Sequence, residues 1–290
     1  MKILLDCVPC FARQALDAVM EAVEDPAQRE PILRRLLHQI ADGDWSGSPP
    51  AMAQRLHRSI RQELNNPDPY RAIKDRMNAI ALQLVPAMRQ RIDTHPDPRE
   101  AAVRVAIGGN LLDVGAKTQI AAEELPAHLD TIWSHPLRGD LEGLFLAAER
   151  AHSILFLADN AGEIYFDRLL IERLPTEKIT VFMRGSPVLN DATIVDAESA
   201  GLPELAPVFD NGSDAPGTIL DDCSADFQAW FERADLIIAK GQGNYETLSE
   251  VNKNIYFLFT VKCQLVADRV GEPVGSLVVK AGRLGGEDSQ

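Results

Sequence analysis

The 290-residue chain has little that would staple it covalently or carry it into a membrane. Its four cysteines, Cys7, Cys10, Cys223 and Cys263, are too few for a disulfide scaffold in a chain of this length. No uncharged run of about eighteen residues occurs, so no transmembrane helix is expected. The N-terminal MKILLDCVPC reaches Asp6 and Cys7 before any apolar stretch long enough for a signal peptide. Positive charge is scarce too: 29 Lys and Arg face 43 Asp and Glu, a formal net charge of −14. Such a surface repels nucleic acid and anionic membranes, which are bound largely through Lys and Arg on phosphate. The expectation is a soluble cytoplasmic protein with reduced thiols and neither nucleic acid nor membrane as a partner. The 46% hydrophobic content permits a core that needs no metal to hold it together.

Familiar catalytic signatures are missing as well. None of the six histidines sits in HExxH, and no GxSxG elbow or GxxxxGK[ST] loop occurs. GQGNYE lacks the third glycine of a dinucleotide fingerprint. A haloacid-dehalogenase nucleophile needs a second Asp two residues after the first, and Ala161 stands there after Asp159. The pair Cys7 and Cys10 has no second CxxC at ribbon spacing. It reads as paired structural thiols near a helix start, with a zinc site or a redox pair as alternatives.

What is present falls into two rhythms. Residues 1–150 read as helical: CFARQALDAVMEAV, REPILRRLLHQIAD with Pro31 suited to a first turn, AMAQRLHRSIRQEL, YRAIKDRMNAIALQLVPAMRQRI and PREAAVRVAIGGNLLDVG. Nothing in this part reads as a strand. Residues 151–290 alternate short apolar runs (SILFLAD, KITVFMRG, APVFDNG, DLIIAKG, NIYFLFTVK, SLVVKAG) with helical stretches. This spacing predicts βαβ units, hence an α/β, Rossmann-like, mainly parallel sheet with helices on both faces behind a helical N-terminal region.

Ligands of such sheets bind beyond the carboxyl ends of the strands. Those ends carry Asp159, Asn160 and Gly162; then RGSPVLND, ending at Asp191; then DNGSDAPGT; then KGQGN from Lys240; and TVKCQ with Lys262. Asp159, Asn160 and Asp191 are hard oxygen donors suited to magnesium or manganese. NGSDAPGT, with Ser213 and Gly217, reads as a helix opening whose amides would cradle phosphate. Lys240 would add a point charge, and Lys262 a second. Each group has a plainer reading: Asp159 and Asn160 as caps of the next helix, Asp191 as the N-cap of ATIVDAESA, Ser213 and Asp214 as a mere helix start. Glu163 and Asp167 read as supporting groups rather than ligands.

The motifs ADNAGEIYFDRLL, GSPVLNDATIVDA, GSDAPGT and AKGQGNYETL, with DCVPCFARQAL and GGNLLDVG, resemble the damage-control phosphatase family. That family was long catalogued as domain of unknown function eighty-nine and includes the ARMT-like metal-binding proteins. The CVPC pair resembles its bacterial and archaeal branch. The resemblance implies hydrolysis of phosphate monoesters, sugar phosphates and other small phosphometabolites, with a divalent ion such as manganese, nickel, cobalt or magnesium. It implies metal binding by Asp159, Asn160 and Asp191, phosphate binding by Lys240, and a substrate role at the rim for Asn110 and Asp113. On that reading Asp159, Asp191 and Lys240 are the catalytic groups. Two other classes stay open: an S-adenosylmethionine-dependent carboxyl methyltransferase, though no glycine-rich first loop with an acidic ribose partner is found, and a non-catalytic metal or nucleotide sensor.

Overall fold

A computed structural model of the chain describes residues 1–109 and 130–282. Five helices come first: α1 (Val8–Ala22), α2 (Pro26–Asp42), α3 (Pro49–Leu64), α4 (Arg71–Thr94) and α5 (Pro98–Gly108). Four of the five start with proline at N1 or N2, where the missing N–H costs nothing. Asp25, Ser48 and Asp97 cap α2, α3 and α5 through side-chain oxygens that accept first-turn N–H groups. Helix α2 begins at Pro26, so Pro31 lies inside it rather than in its first turn.

The remaining elements alternate: β1 (Leu137–Gly139), α6 (Leu141–Arg150), β2 (Ile154–Leu157), α7 (Glu163–Ile171), β3 (Ile179–Met183), α8 (Ile194–Ser199), β4 (Val208–Asp210), α9 (Ala225–Arg233), β5 (Leu236–Lys240), α10 (Gly241–Leu248), β6 (Ile255–Thr260), α11 (Gln264–Val270) and β7 (Leu277–Ala281). The seven strands among the described residues form one sheet in the order β1-β7-β6-β5-β2-β3-β4. Every pairing is parallel except β6 with β7. All six expected strands are present. The short β1, with only three residues and no apolar run, was invisible to hydrophobic rhythm, and it starts the sheet before residue 150.

Strand residues alternate between two cores, which is why the central strands are apolar throughout. Ile154, Phe156, Ile238 and Leu258 face one core, shared with α1–α7. Leu155, Leu157, Ile237 and Phe257 face the other, filled by Phe227 and Phe231 of α9, Tyr245 of α10 and Val266 of α11. The helical N-terminal region therefore packs into the same core as one sheet face, with α4 and α5 against α7. The chain leaves β2 towards β3 on one side, and β5 returns to β2's other side. The crevice between β2 and β5 is thus the topological switch point.

One polar knot pins the helical layer near this point. Asp196, fully buried, accepts from Arg71 (2.7 Å) and Asn78 (2.9 Å) of α4 and closes a capping box with Thr193 at the start of α8. Burial works to raise the Asp196 pKa, but hydrogen bonds from Arg71 and Thr193 and the Lys74 charge outweigh it and hold it below the usual carboxylate range. The folded value is the lower one, so its stabilisation is present above the unfolded pKa and lost as pH falls through the folded value. Asp196→Asn is expected to cost about 3 kcal/mol at neutral pH and to flatten the acid limb of the stability curve. Thermal unfolding followed from neutral into acid pH measures both effects.

Candidate active site

Two loops leaving adjacent parallel strands are stitched together by backbone bonds. After β2, the Ala161 N–H donates to the Asn190 carbonyl (2.8 Å), and after β3 the Ala192 N–H donates to the Asp159 carbonyl (2.8 Å). Asn160 and Asp191 form an antiparallel bridge between them. This pairing brings Asp159, Asn160 and Asp191 together, all buried. None of the three is a helix cap: Gly162 stands at the N-cap of α7 with no side-chain bond, and Thr193 caps α8.

Gly162 turns the chain at φ +77° into α7, and its N–H donates to Asn78 Oδ1 (2.7 Å). Asn78 therefore joins the Asp159 loop to Asp196, five residues beyond Asp191, from across the helical layer. Sequence reasoning missed it, because one polar residue on a helix face carries no local signal. Gly241, at φ +80°, is equally constrained: a Cβ there would lie 1.9 Å from Asp159 Oδ2.

The electrostatics are those of crowded acids. Burial, then the neighbouring Asp191 and Glu163, push the Asp159 carboxyl well above its usual range, against the opposing pull of Arg184 and Lys262. Arg184 closes β3 and is almost fully buried. Its Nε donates to Asp191 Oδ2 (2.6 Å), and its guanidinium reaches Asp159 Oδ1 (3.4 Å). It is the first residue of the RGSPVLND strand end, so its position was legible although its role was not. Asn160 Nδ2 donates to Asp159 Oδ2 (2.9 Å) and Glu163 Oε2 (3.2 Å), which turns Oδ1 the other way.

Lys240 departs from the expectation. Its Nζ donates to the Ala106 carbonyl (2.9 Å), Glu163 Oε1 (2.5 Å) and Asp167 Oδ1 (2.5 Å), and the side chain is fully buried. Burial alone would lower its pKa, but Asp167 and Glu163 outweigh that and raise it, so the ammonium stays charged. All three of its N–H groups are committed to this cluster, which leaves none for a phosphate. It is the ion-pair partner of Glu163 and Asp167.

The amide cradle expected of NGSDAPGT is not formed either. No helix opens there; a loop leads to a 3-10 turn at Leu220–Asp222. The Ser213 N–H donates to Asn211 Oδ1 and its hydroxyl to Asp222, while the Gly217 N–H donates to the Ala215 carbonyl. Small residues serve close packing instead: a Cβ on Gly217 would lie 2.7 Å from the Gly243 carbonyl oxygen. Asp214 pairs with Arg58 and Arg61 of α3, docking the helical layer. Asn110 and Asp113 lie outside the described residues.

A cavity of about 380 Å³ opens over the acids, lined by Asp159, Asn160, Asp191, Gln242, Gly243 and Lys262. Its outer wall comes from the helical region, including Phe11 and Gln14 of α1, Ala53 of α3 and Tyr70. Lys262 is held where it stands by Gln242, whose Oε1 accepts the Lys262 N–H (3.0 Å). Among the described residues, no three His, Cys, Asp or Glu side chains form a metal cluster; the donor set here is two carboxylates and an amide. That set fits a hard divalent cation, which would offset both the burial and the Asp191 and Glu163 charges that raise the Asp159 carboxyl.

An acidic, cavity-lined site at the switch point of a mainly parallel sheet defines an α/β protein built for a small ligand. Comparison with known proteins narrows this. Residues 3–278 match the family model of the damage-control phosphatase ARMT1-like domain. A damage-control phosphatase from Archaeoglobus fulgidus is 37% identical over 79% of this chain and 81% of its own length. Another, from Pyrococcus horikoshii, is 34% identical over 96% and 97%. An uncharacterized protein from Methanocaldococcus jannaschii is 36% identical over 96% and 95%. The crystal structure of a DUF89 family protein from Pyrococcus horikoshii superposes with a TM-score of 0.88 at 31% identity, covering 98% of this chain and all of that one. The chain belongs to the damage-control phosphatase family, and that membership supports a phosphatase role.

Gly241 offers a test of the geometry with a built-in control. Gly271 has nearly the same conformation (φ +79°) but nothing within 4 Å of a Cβ. Gly271→Ala is expected to cost about 1 kcal/mol of backbone strain, and Gly241→Ala a further 1–3 kcal/mol, roughly, for the collision with Asp159. Chemical denaturation of the two variants measures the difference.

Proposed function

We propose that the protein is a divalent-metal-dependent phosphatase that hydrolyses phosphate monoesters of small metabolites, sugar phosphates among them. The observation that carries this reading is the buried Asp159, Asn160 and Asp191 set opening into a cavity that Lys262 also lines. Asp159, Asn160 and Asp191 would hold manganese, nickel, cobalt or magnesium. The ion would supply Lewis acidity and charge neutralisation at the phosphoryl group.

The chain's own groups carry the rest. Lys262 donates to the phosphate oxygens, a role that sequence reasoning gave to Lys262 as well as Lys240. Gln242 keeps Lys262 in register with α10. Gln242 and Gly243, in the first turn of α10, line the same cavity. These groups stabilise charge on the equatorial oxygens. One of the paired carboxylates, Asp159 or Asp191, accepts the proton of the attacking water. Arg184 holds that pair together and opposes the rise of the Asp159 carboxyl. Lys240, Glu163 and Asp167 orient the Asn160 amide from behind.

Phosphate release from p-nitrophenyl phosphate and a sugar-phosphate panel, with and without added manganese, nickel, cobalt or magnesium, tests the reading. Metal-dependent turnover is expected; turnover unaffected by chelation and by metal would sink it. Asp159→Ala is expected to lose about 10³-fold or more in kcat/KM. Lys262→Ala is expected to lose on the order of 10²-fold with its stability kept. Lys240→Met is expected to act first on stability, by about 3 kcal/mol or more, because it strands two buried carboxylates. Steady-state kinetics paired with denaturation separates the two lysines.

A further inference from the structure

We propose that Cys7 and Cys10 are a dithiol that low-molecular-weight disulfides convert to an intramolecular disulfide on the wall of the Asp159–Lys262 cavity. Cys7 is the N-cap of α1, already in helical conformation (φ −79°, ψ −23°), and Cys10 lies in the first turn. Helical residues three apart have Cβ atoms about 5–6 Å apart. A disulfide needs Cβ atoms about 3.5–4.5 Å apart, so closing the pair takes a shift on the order of 1–2 Å.

The local backbone permits that shift. The Cys7 N–H bonds to the Leu4 carbonyl of the preceding 3-10 turn, Leu5–Cys7. Pro9 removes one donor from the same turn. The end of α1 can therefore tighten without breaking its main hydrogen-bond ladder. Both sulfur-bearing residues line the cavity, together with Cys263.

Exposure sets the order of events. Cys10 is exposed and Cys7 half-buried, and burial raises the Cys7 thiol pKa. The Cys10 thiolate attacks one sulfur of the disulfide RSSR; the RS–SR bond breaks, a Cys10–S–SR bond forms and RS⁻ leaves. The Cys7 thiolate then attacks the Cys10 sulfur, forming Cys7–Cys10 and expelling the second RS⁻. Two protein thiols are oxidised and one external disulfide is reduced to two thiols. Cys223 is an internal control, buried with its thiol pushed up to about 12.

Oxidised glutathione is the probe, applied to the full chain, with differential alkylation and peptide mass mapping as the readout. This readout does not depend on any phosphatase activity. In the wild type, a Cys7–Cys10 link reversed by dithiothreitol is expected, with Cys223 unmodified. Cys7→Ser should trap glutathione on Cys10, and Cys10→Ser should slow modification of Cys7 at least tenfold. Cys7 and Cys10 both remaining alkylatable, or a link running to Cys263 instead, would overturn the proposal. So would a Cys7→Ser protein that takes up no glutathione on Cys10.

Discussion

Four carboxyl groups buried at one sheet edge are the constraint around which the site is built. Asp159, Asp191, Glu163 and Asp167 all lie under a tenth exposed, where like charges repel strongly and water cannot screen them. The protein answers with two buried cations, each assigned to a pair. Arg184 binds Asp191 and reaches Asp159; Lys240 binds Glu163 and Asp167. The division is not symmetrical. Burial keeps a carboxyl raised in both pairs, Asp167 to about 7 despite Lys240 and Asp159 well above its usual range despite Arg184. The difference is that the Lys240 ammonium commits its three N–H groups behind the site. Of the two pairs, Asp159 and Asp191 are the one that lines the cavity, where further positive charge can reach them.

The fold provides the geometry that holds such a cluster. Neighbouring parallel strands β2 and β3 release their loops side by side, and backbone bonds between residues 159–161 and 190–192 set the spacing of the acids before any side chain contributes. Strand β5 delivers Lys240 and then Gly241, where only a missing Cβ lets Asp159 stand. The helical region closes the arrangement: Asn78 and Arg71 reach across to the two loops, and α1 and α3 supply the outer cavity wall. It shares one continuous core with the sheet, so it serves as part of the site's frame.

Much of this was legible in the sequence because hydrophobic rhythm is a strong local signal. Six strands, the helical first part and the collection of chemistry at strand ends all follow from it. Asp159 and Asn160 stand out because they directly follow an apolar strand, and Asp191 because it ends the loop after the next one; the structure brings the three together. Where the structure departs from the sequence reading, at Lys240 and NGSDAPGT, the cause is the same. Lys240 and Lys262 both follow strands with similar apolar character, and the sequence does not say which neighbours will meet them. In three dimensions α7 brings Glu163 and Asp167 to Lys240, while Lys262 lines the cavity. NGSDAPGT has the composition of a helix start, yet its amides bond to Asn211 Oδ1 and the Ala215 carbonyl. The three-residue β1 has no pattern to read and exists only because β7 offers it an edge.

The central claim is that Asp159, Asn160 and Asp191 hold a divalent ion on which phosphate is turned over, with Lys262 as its cationic partner. Anomalous diffraction from crystals grown with manganese and phosphate tests it most directly. The account predicts a manganese peak ligated by Asp159, Asn160 and Asp191, with a phosphate oxygen on the metal and Lys262 Nζ within hydrogen-bond distance of the phosphate. Manganese bound elsewhere, or phosphate bound to Lys240 instead, would contradict it.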